Sequence, residues 1–313
     1  MTSLTGDPQL TIVGTGAMAC LFGAHLAPFA HVTLTGSWPE GIAAIREAGI
    51  IVEDSGKHSP VSVAVIPWPG RLEPADLVLI LVKAWQTEDV ARRLPDLLKP
   101  GGVALTLQNG LGNIEALGPP TCLGVTYQGA TLLGPGRVQP GGAGTTWLAG
   151  PEWIVELFRR AGLEASAVGN GEIQSLLWGK LVVNCGINAL SALLRVPNGE
   201  LLRRPDATFL MQCAALECAD VAGARGLALP FLDPAGRVCE VARQTATNFS
   251  SMLQDVLRGA PTECQAINGA VVQWGKRLGV DTPVNETLFR LVRAVATPQA
   301  GPGPGGESSD AVG

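Results

Sequence analysis

The sequence predicts an α/β fold, with a doubly wound, largely parallel sheet over residues 1–168 and an all-helical region over residues 169–296. Two observations carry this prediction. Short apolar strand-like runs alternate with helical stretches as far as Val168, which is the pattern of a doubly wound sheet. After ASAVGNGE (residues 165–172) only long helical patterns follow. The Gly/Pro/Ser-rich remainder, residues 297–313, is predicted to be a disordered tail.

The elements of the first region follow one another in a regular order. QLTIV leads through a glycine turn into the helical stretch AMACLFGAHLA, and HVTLTG leads into PEGIAAIREAG. ADLVLILVKA is apolar on both faces, as a central parallel strand must be, and the helix TEDVARRLPDLL and the strand GGVALTLQNG come after it. CLGVTYQGATLL and TTWLAG are strand-like segments at the far side of the sheet, and WIVELFRRAG is an amphipathic helix.

Four long helical patterns make up the second region, and no internal repeat is visible in the sequence. They are WGKLVVNCGINALSALL, ATFLMQCAALECADVAGARG, RVCEVARQTATNFSSMLQDVLRG and TECQAINGAVVQWGKRLG.

The composition excludes several classes of function. Only 16% of the 313 residues are charged and the net charge is -5, so nothing draws the chain to nucleic acid or to an anionic membrane. The seven cysteines form no CxxC pair and no zinc spacing, which predicts reduced thiols and no metal site. The N-terminus lacks the features of a signal peptide, and no membrane-spanning run is visible. A soluble, cytoplasmic protein is predicted.

The glycine turn after the first strand has the form G-x-G-x-x-A, from Gly14 to Ala19. Gly14 permits the tight turn, Gly16 lets the backbone approach a pyrophosphate, and Ala19 permits close packing of helix on strand. The N-terminus of the following helix favours phosphate charge. Between a strand and a helix, this motif predicts a Rossmann-type dinucleotide site rather than a turn that merely needs glycines.

The end of the second strand leaves the choice of cofactor open. It reads Thr35-Gly36-Ser37-Trp38, without the acid that binds the ribose 2′-hydroxyl of NAD and without the arginine that accommodates the 2′-phosphate of NADP. The first carboxylate, Glu40, comes late.

Two polar residues follow apolar strands, where open α/β sheets bind ligands. Lys83 follows LVLILV, and Asn109 follows VALTLQ. The alternatives are a solvated surface lysine and a left-handed turn residue before Gly110.

A polar stripe runs along the apolar helix that begins the second region. Lys180, Asn184 and Asn188 recur every four residues and so share one helix face. The alternative to a functional stripe is a helix edge, with the lysine reaching water and the asparagines bonded to a neighbouring helix. Glu263 could supply the opposite charge to Lys180, or be a helix-start acid favoured by the macrodipole.

At these residues the sequence resembles the ketopantoate reductase (2-dehydropantoate 2-reductase) family, from Gln9 to about Ala296. The motifs that carry the resemblance are GTGAMA, LVKAWQTEDV, LQNGLGN, GKLVVNCGINALSALL, VPNGEL, NFSSMLQDVLRG and TECQAINGAVV. Several long motifs in the same order are far more specific than one glycine turn.

The resemblance implies a role for each matching position. Lys180 is implied as the proton donor, and Glu263 as a catalytic residue near substrate and cofactor. The implied substrate-binding residues are Asn109, Lys180, Asn184, Asn188, Asn198 and Ser251. The cofactor-binding residues, from the resemblance and the glycine motif, are Gly14, Thr15, Gly16, Ala17, Met18, Ala19, Ser37, Lys83, Asn109, the backbone of Ala130, and Glu263.

The resemblance further implies NADPH-dependent reduction of ketopantoate to (R)-pantoate, in pantothenate and coenzyme A biosynthesis. Family members that use NADPH often carry an arginine where this chain has Ser37, so NAD stays possible. The alternatives are a reductase of another branched 2-keto acid, a 3-hydroxyacid dehydrogenase of the same architecture, and a nicotinamide-binding sensor without turnover. The SGG motif expected in the 3-hydroxyacid enzymes is absent, and a sensor would not need Lys180 and Glu263 together. The oligomeric state is open, with a homodimer through the helical region as the working hypothesis.

Overall fold

The structure is a computed structural model that describes residues 6–142 and 144–296. The tail predicted for residues 297–313 lies outside the described residues. In chain order the described strands are β1 (Gln9–Val13), β2 (His31–Gly36), β3 (Ile50–Asp54), β4 (Lys57–Val61), β5 (Ala64–Pro67), β6 (Ala75–Ile80), β7 (Leu98–Thr106), β8 (Thr121–Thr126), β9 (Ala130–Gly134), β10 (Arg137–Pro140), β11 (Thr146–Ala149) and β12 (Ala165–Ala167).

The described helices divide between the two regions. Those of the first region are α1 (Ala17–Leu26), α2 (Pro39–Ala48), α3 (Thr87–Leu97), α4 (Asn113–Leu117) and α5 (Glu152–Arg160). Those of the second are α6 (Asn170–Leu194), α7 (Pro205–Ala224), α8 (Pro234–Gln244), α9 (Ser251–Leu257), α10 (Asn268–Leu278) and α11 (Pro283–Ala296).

The main sheet has eight strands in the order β12-β11-β8-β7-β6-β1-β2-β5. The pairs from β5 to β8 are all parallel, and β11 adds to β8 in the antiparallel sense. The central strand β6 is almost wholly buried, as its apolar sequence predicts. The predicted doubly wound α/β fold is therefore confirmed.

A second sheet, in the order β4-β3-β10-β9, was not predicted from the sequence. Its hairpin turns at Ser55 and Gly56, both with positive φ, and four of the five residues of β4 are exposed. Such strands lack the apolar alternation that marks a half-buried strand. The segment CLGVTYQGATLL, predicted as part of one sheet, instead supplies β8 to the main sheet and β9 to the second.

The pattern RVCEVARQTATNFSSMLQDVLRG is two helices rather than one continuous helical segment. After α8 ends at Gln244, the carbonyl groups of Ala246 and Asn248 accept hydrogen bonds from Gly199 and Asn198. The helix resumes only at α9, where the Ser250 side chain caps the N–H of Leu253. These tertiary bonds compete with helix formation, and they are not visible in the sequence.

Helix α6 is the core of the helical region. Gly186 lets it pack closely on α7, because a Cβ at this position would lie 2.8 Å from the carbonyl oxygen of Met211. By length and composition α6 could also cross a membrane, but 72% of its most apolar window is buried inside the protein, which is typical of a core helix.

Hydrogen bonds between buried groups fix the position of α6. Ser191 donates to Ser250 at 2.7 Å, and the Asn268 amide donates to the carbonyl of Cys185 at 3.0 Å. Helix α6 also packs against β8 and β11 of the main sheet. The stripe of Lys180 is therefore held at the edge of the sheet, while the domain boundary at residue 168 stays a prediction.

Candidate active site

The glycine turn presents the N-terminus of α1 to open space. Gly14 has a φ of +140°, and a Cβ there would lie 3.2 Å from the carbonyl of Leu81 and 3.3 Å from the Cβ of Ala19. Nothing lies within 4 Å of the Cβ position of Gly16. No side chain caps the helix, and its first turn carries no acid. The geometry is that of an anion-binding helix N-terminus.

The turn forms one wall of a cavity of about 520 Å³ between the sheet and the helical region. The predicted site residues that line it are Gly14, Thr15, Gly16, Ala17, Met18, Ser37, Lys83, Asn109, Ala130, Ser251 and Glu263. Ala19 does not line the cavity, and it is fully buried beneath Gly14. An extended dinucleotide fits this arrangement. The glycine turn and the ends of β2, β6 and β7 lie on one side of the cavity, and polar groups of the helical region lie opposite them.

Lys83 is held in ion pairs at the cavity wall, with 36% of its side chain exposed, rather than being a free surface lysine. Its Nζ lies 2.7 Å from the Oδ2 of Asp255 and 3.6 Å from the Oε2 of Glu263. Burial alone would lower the pKa of Lys83, but the charges of Glu263 and Asp255 outweigh it and raise this pKa. Burial also raises the pKa of Asp255, against the opposing effect of Lys83. The three groups join the sheet to the helical region through charge.

Glu263 lies in the turn before α10, not within the helix, and its carboxylate points to the sheet. One oxygen accepts the backbone N–H of Ala84 at 3.0 Å. The alternative of a helix-start acid is therefore wrong, since the carboxylate binds groups of the other region. No ion pair within 4.0 Å joins Glu263 to Lys180 among the described residues, but the negative charge of Glu263 acts on Lys180 at longer range and raises its pKa.

Lys180 is partly buried and bonded to the main sheet, which is not what the helix-edge alternative of a lysine reaching freely into water requires. Its Nζ donates to the carbonyl of Thr126 at 2.7 Å and lies 5.8 Å from the centre of the Tyr127 ring. Burial lowers the pKa of Lys180 to about 8, while the charge of Glu263 acts in the opposite direction. Neither Lys180 nor Thr126 lines the cavity, but Glu263 does, and its charge acts on Lys180, so the ammonium lies within electrostatic range of the cavity wall.

The predicted substrate-binding asparagines are placed beyond this cavity, since Asn184, Asn188 and Asn198 do not line it. The side chains of Asn184 and Asn188 make no hydrogen bond within the described part of the chain, so they are not bonded to a neighbouring helix. The Asn198 amide donates to Thr245, but its buried carbonyl oxygen has no partner in the described protein. These amides can therefore serve a ligand.

Asn109 is not the left-handed turn residue that the alternative required. Among non-glycine residues described, positive φ occurs at Ser55 and Arg195, whereas Gly110 takes the turn with a φ of +79°. The backbone carbonyl of Asn109 accepts a hydrogen bond from the Asn113 side chain. The side-chain amide of Asn109 is not used in this bond, and Asn109 lines the cavity.

Sequence reasoning missed Asp255 and Gln108. Asp255 is four residues after Ser251 on α9, the spacing that identified the Lys180 stripe, so the same signal was available. Gln108 is buried, and its amide donates to the carbonyl of Val82 and to Thr87, which ties the ends of β6 and β7 together. No cluster of three or more His, Cys, Asp or Glu that could hold a metal occurs among the described residues.

A glycine-turn cavity, with a lysine and unpaired amides along the adjoining helix α6, is typical of an oxidoreductase that uses a nicotinamide dinucleotide. Comparison with known proteins supports this class and narrows it. Residues 10–152 match the family "Ketopantoate reductase PanE/ApbA", and residues 172–296 match its C-terminal part, "Ketopantoate reductase PanE/ApbA C terminal". The chain belongs to the ketopantoate reductase family.

Individual relatives are similar to this chain over nearly their whole length. The chain is 36% identical to a 2-dehydropantoate 2-reductase of Archaeoglobus fulgidus, covering 92% of this chain and 97% of the relative. It is similar in structure to a PanE/ApbA family ketopantoate reductase from Ralstonia eutropha JMP134, with a TM-score of 0.85 and 31% identity over 92% of this chain and 98% of the other. D-mandelate dehydrogenase with NADH and anilino(oxo)acetate gives a TM-score of 0.85 and 28% identity, with the same coverage.

Proposed function

We propose that the chain reduces 2-dehydropantoate to (R)-pantoate with NADPH, as a step toward pantothenate and coenzyme A. The observation that carries the proposal is the position of Lys180, a partly buried amine bonded to Thr126, with a pKa of about 8 and within electrostatic range of Glu263 on the cavity wall. The family relatives named 2-dehydropantoate 2-reductase support the substrate. The bound cofactor supplies the hydride to the ketone carbon.

Lys180 supplies the proton. As the ketone carbon accepts the hydride, negative charge grows on its oxygen, and an ammonium within reach stabilises this charge and then protonates it. The Thr126 carbonyl holds the ammonium by a hydrogen bond of 2.7 Å, and Glu263 raises its pKa. With a pKa near 8, most of the amine is protonated at pH 7. The neutral amine that remains after transfer regains a proton from solvent.

The amides orient the keto acid. Asn184 and Asn188 lie on successive turns of α6 after Lys180, and the buried carbonyl oxygen of Asn198 has no protein donor. An acceptor of this kind suits a substrate hydroxyl, and the amide N–H groups suit a carboxylate or a carbonyl. Ser251 lines the same cavity as Glu263 and adds a hydroxyl donor. Fixing the ketone against the cofactor in this way lowers the entropic barrier to transfer.

NADPH is the proposed cofactor because the end of β2 carries nothing that repels a 2′-phosphate. Ser37 is exposed at the cavity wall, and no acid occurs from Thr35 to Trp38. Because the arginine found in many relatives is absent, we propose a modest preference rather than a strict one. The cytoplasmic location and the homodimer stay predictions from the sequence.

The decisive experiment is a steady-state assay of the purified chain, following nicotinamide absorbance, with 2-dehydropantoate and each of NADPH and NADH. We expect the highest kcat/KM with 2-dehydropantoate and NADPH. Phenylglyoxylate, the keto acid of mandelate, is the matched competing substrate because of the similarity to D-mandelate dehydrogenase. A higher kcat/KM with phenylglyoxylate would reject the proposed substrate, and no turnover with any 2-keto acid would favour a sensor.

A further inference from the structure

Arg258 reaches across the cavity from the helical region to the second sheet. It follows α9, and its Nη2 donates to the carbonyl oxygen of Leu132 on β9 at 3.2 Å and to the Oε1 of Gln254 at 3.4 Å. Both acceptors are neutral. Arg258 lines the same cavity as Gly16 and Met18 at the start of α1. Sequence reasoning gave it no role, although it continues the polar face of Ser251 and Asp255 on α9.

The charges around the cavity single out this arginine. Four charged residues line the cavity, namely Lys83, Asp255, Arg258 and Glu263. Lys83 is paired with both carboxylates. Arg258 makes no ion pair within 4.0 Å in the described part of the chain, so its guanidinium is the one cation of this cavity that is bonded only to neutral groups. The pyrophosphate of a dinucleotide carries two negative charges. Lys83 is already paired with two carboxylates, which leaves Arg258 as the cation available to these charges.

The position of Leu132 indicates which phosphate group Arg258 meets. Strand β9 packs against α1, and the N-terminus of α1 is the part of the fold that attracts a pyrophosphate. The 2′-phosphate of NADPH lies instead at the end of β2 in folds of this kind, where Ser37 stands. The cavity that the glycine turn lines thus also carries a guanidinium bonded to β9, and a guanidinium matches phosphate oxygens in geometry as well as charge.

We propose that Arg258 binds the pyrophosphate of the nicotinamide dinucleotide from the helical region and is a cofactor-positioning residue. The glycine turn would hold this group from one side and Arg258 from the other. The inference rests on the nicotinamide cofactor of the proposed function but not on the identity of the keto acid. The competing explanation is that Arg258 only links the two regions through its bond to Leu132.

The test is calorimetric titration of the purified protein, without keto acid, with NADPH, NADH and ADP-ribose. ADP-ribose carries the pyrophosphate but no nicotinamide. For Arg258→Ala we expect all three dissociation constants to rise by the same factor, about ten- to hundredfold, the usual effect of losing one charge-assisted hydrogen bond. Arg258→Lys should recover part of the loss, because it keeps the charge without the planar fork. Arg243→Ala is the matched control, since Arg243 is exposed in the last turn of α8 and does not line the cavity.

Each outcome decides between the explanations. A loss for NADPH with none for NADH would assign Arg258 to the 2′-phosphate and overturn the proposal, as would a change below twofold for all three ligands. The melting temperature of ligand-free Arg258→Ala should stay within about 2 °C of the wild type, because one exposed bond to a neutral acceptor contributes little. A larger drop together with weaker binding would support the linking role instead. A wild type that binds NADPH but does not reduce 2-dehydropantoate would sink the proposed function and leave this inference intact.

Discussion

The Nζ of Lys83 lies 2.7 Å from the Oδ2 of Asp255, although the two residues are 172 positions apart in the chain. The contact joins the end of β6 to helix α9, and Glu263 approaches the same ammonium at 3.6 Å. Asp255 is buried, and desolvating its charge costs free energy, so the retention of this pair at the cavity wall indicates a role in shaping the site rather than in bulk stability.

Asp255→Asn should weaken the contact between β6 and α9 without leaving Lys83 unpaired, because Glu263 remains as a partner for Lys83. We expect a loss of about 1–3 kcal/mol in the free energy of unfolding, the usual cost of a lost hydrogen bond between charged groups. Urea titration of Asp255→Asn, Lys83→Met and the double variant measures the coupling between the two residues. If the losses in the two single variants add up to the loss in the double variant, the contact between Lys83 and Asp255 makes no net contribution to the free energy of unfolding.

Lys180→Ala should lower kcat by roughly 10²- to 10⁴-fold, the usual contribution of a positioned general acid. Binding of NADPH should change little, since Lys180 does not line the main cavity. Lys276→Ala is the control, because Lys276 has 66% of its side chain exposed and lies in the last turn of α10. If Lys180→Ala keeps more than about half of the wild-type kcat, another group donates the proton.

The pH dependence of kcat/KM should reflect the titration of Lys180. Lys180 must be protonated to act as the acid, and its pKa is about 8, so kcat/KM for ketone reduction should fall above about pH 8. Because the charge of Glu263 raises the pKa of Lys180, Glu263→Gln should move this basic limb to lower pH. A limb that stays in place in Glu263→Gln, or one that is unchanged in Lys180→Ala, would assign it to a different group.

Burial of Lys180 should also cost stability. Its pKa is lowered from 10.5 to about 8, so the folded state binds the proton less tightly than the unfolded state does. The penalty is present in full below about pH 8 and disappears as the pH rises toward 10.5. Lys180→Met should therefore raise the free energy of unfolding by about 1–3 kcal/mol at pH 7 and by less at pH 10. An equal gain at both values would contradict the charge-burial explanation.

The parts of the fold that could be predicted are those whose signal is local. Strand β6 and the glycine turn each carry their own pattern, since a short apolar run rich in Leu, Val and Ile is typical of a buried parallel strand and Gly14 has a positive φ. The second sheet escaped prediction because β4 is exposed and reads as loop. The break between α8 and α9 escaped because bonds from Asn198 and Gly199 decide it from a distance.

The same division holds for the site. The spacing of Lys180, Asn184 and Asn188 predicted a shared helix face, and the resemblance supplied their roles. The spacing could not show that Glu263 turns to Lys83, because the partner of a charged group depends on how the two regions meet. Asp255 shares a helix face with Ser251, so the stripe criterion, applied to every helix, would have identified it.

The end of β2 gives the sharpest test of cofactor choice. Ser37 is exposed at the cavity wall, and a side chain there would meet a 2′-phosphate that only NADPH carries. Ser37→Arg should therefore lower the KM for NADPH several-fold, by restoring a charge-assisted contact of about 1–2 kcal/mol at an exposed position. The KM for NADH should stay nearly unchanged, since NADH offers no phosphate at that point. Ser37→Gln is the control, because it lengthens the side chain without adding charge. It should change the KM for either cofactor by no more than about twofold, because a neutral hydrogen bond contributes less than a charged one. Equal effects of Ser37→Arg on both cofactors would show that the new charge acts on the pyrophosphate or on the cavity as a whole, and a wild-type kcat/KM that is higher with NADH would contradict the proposed preference itself.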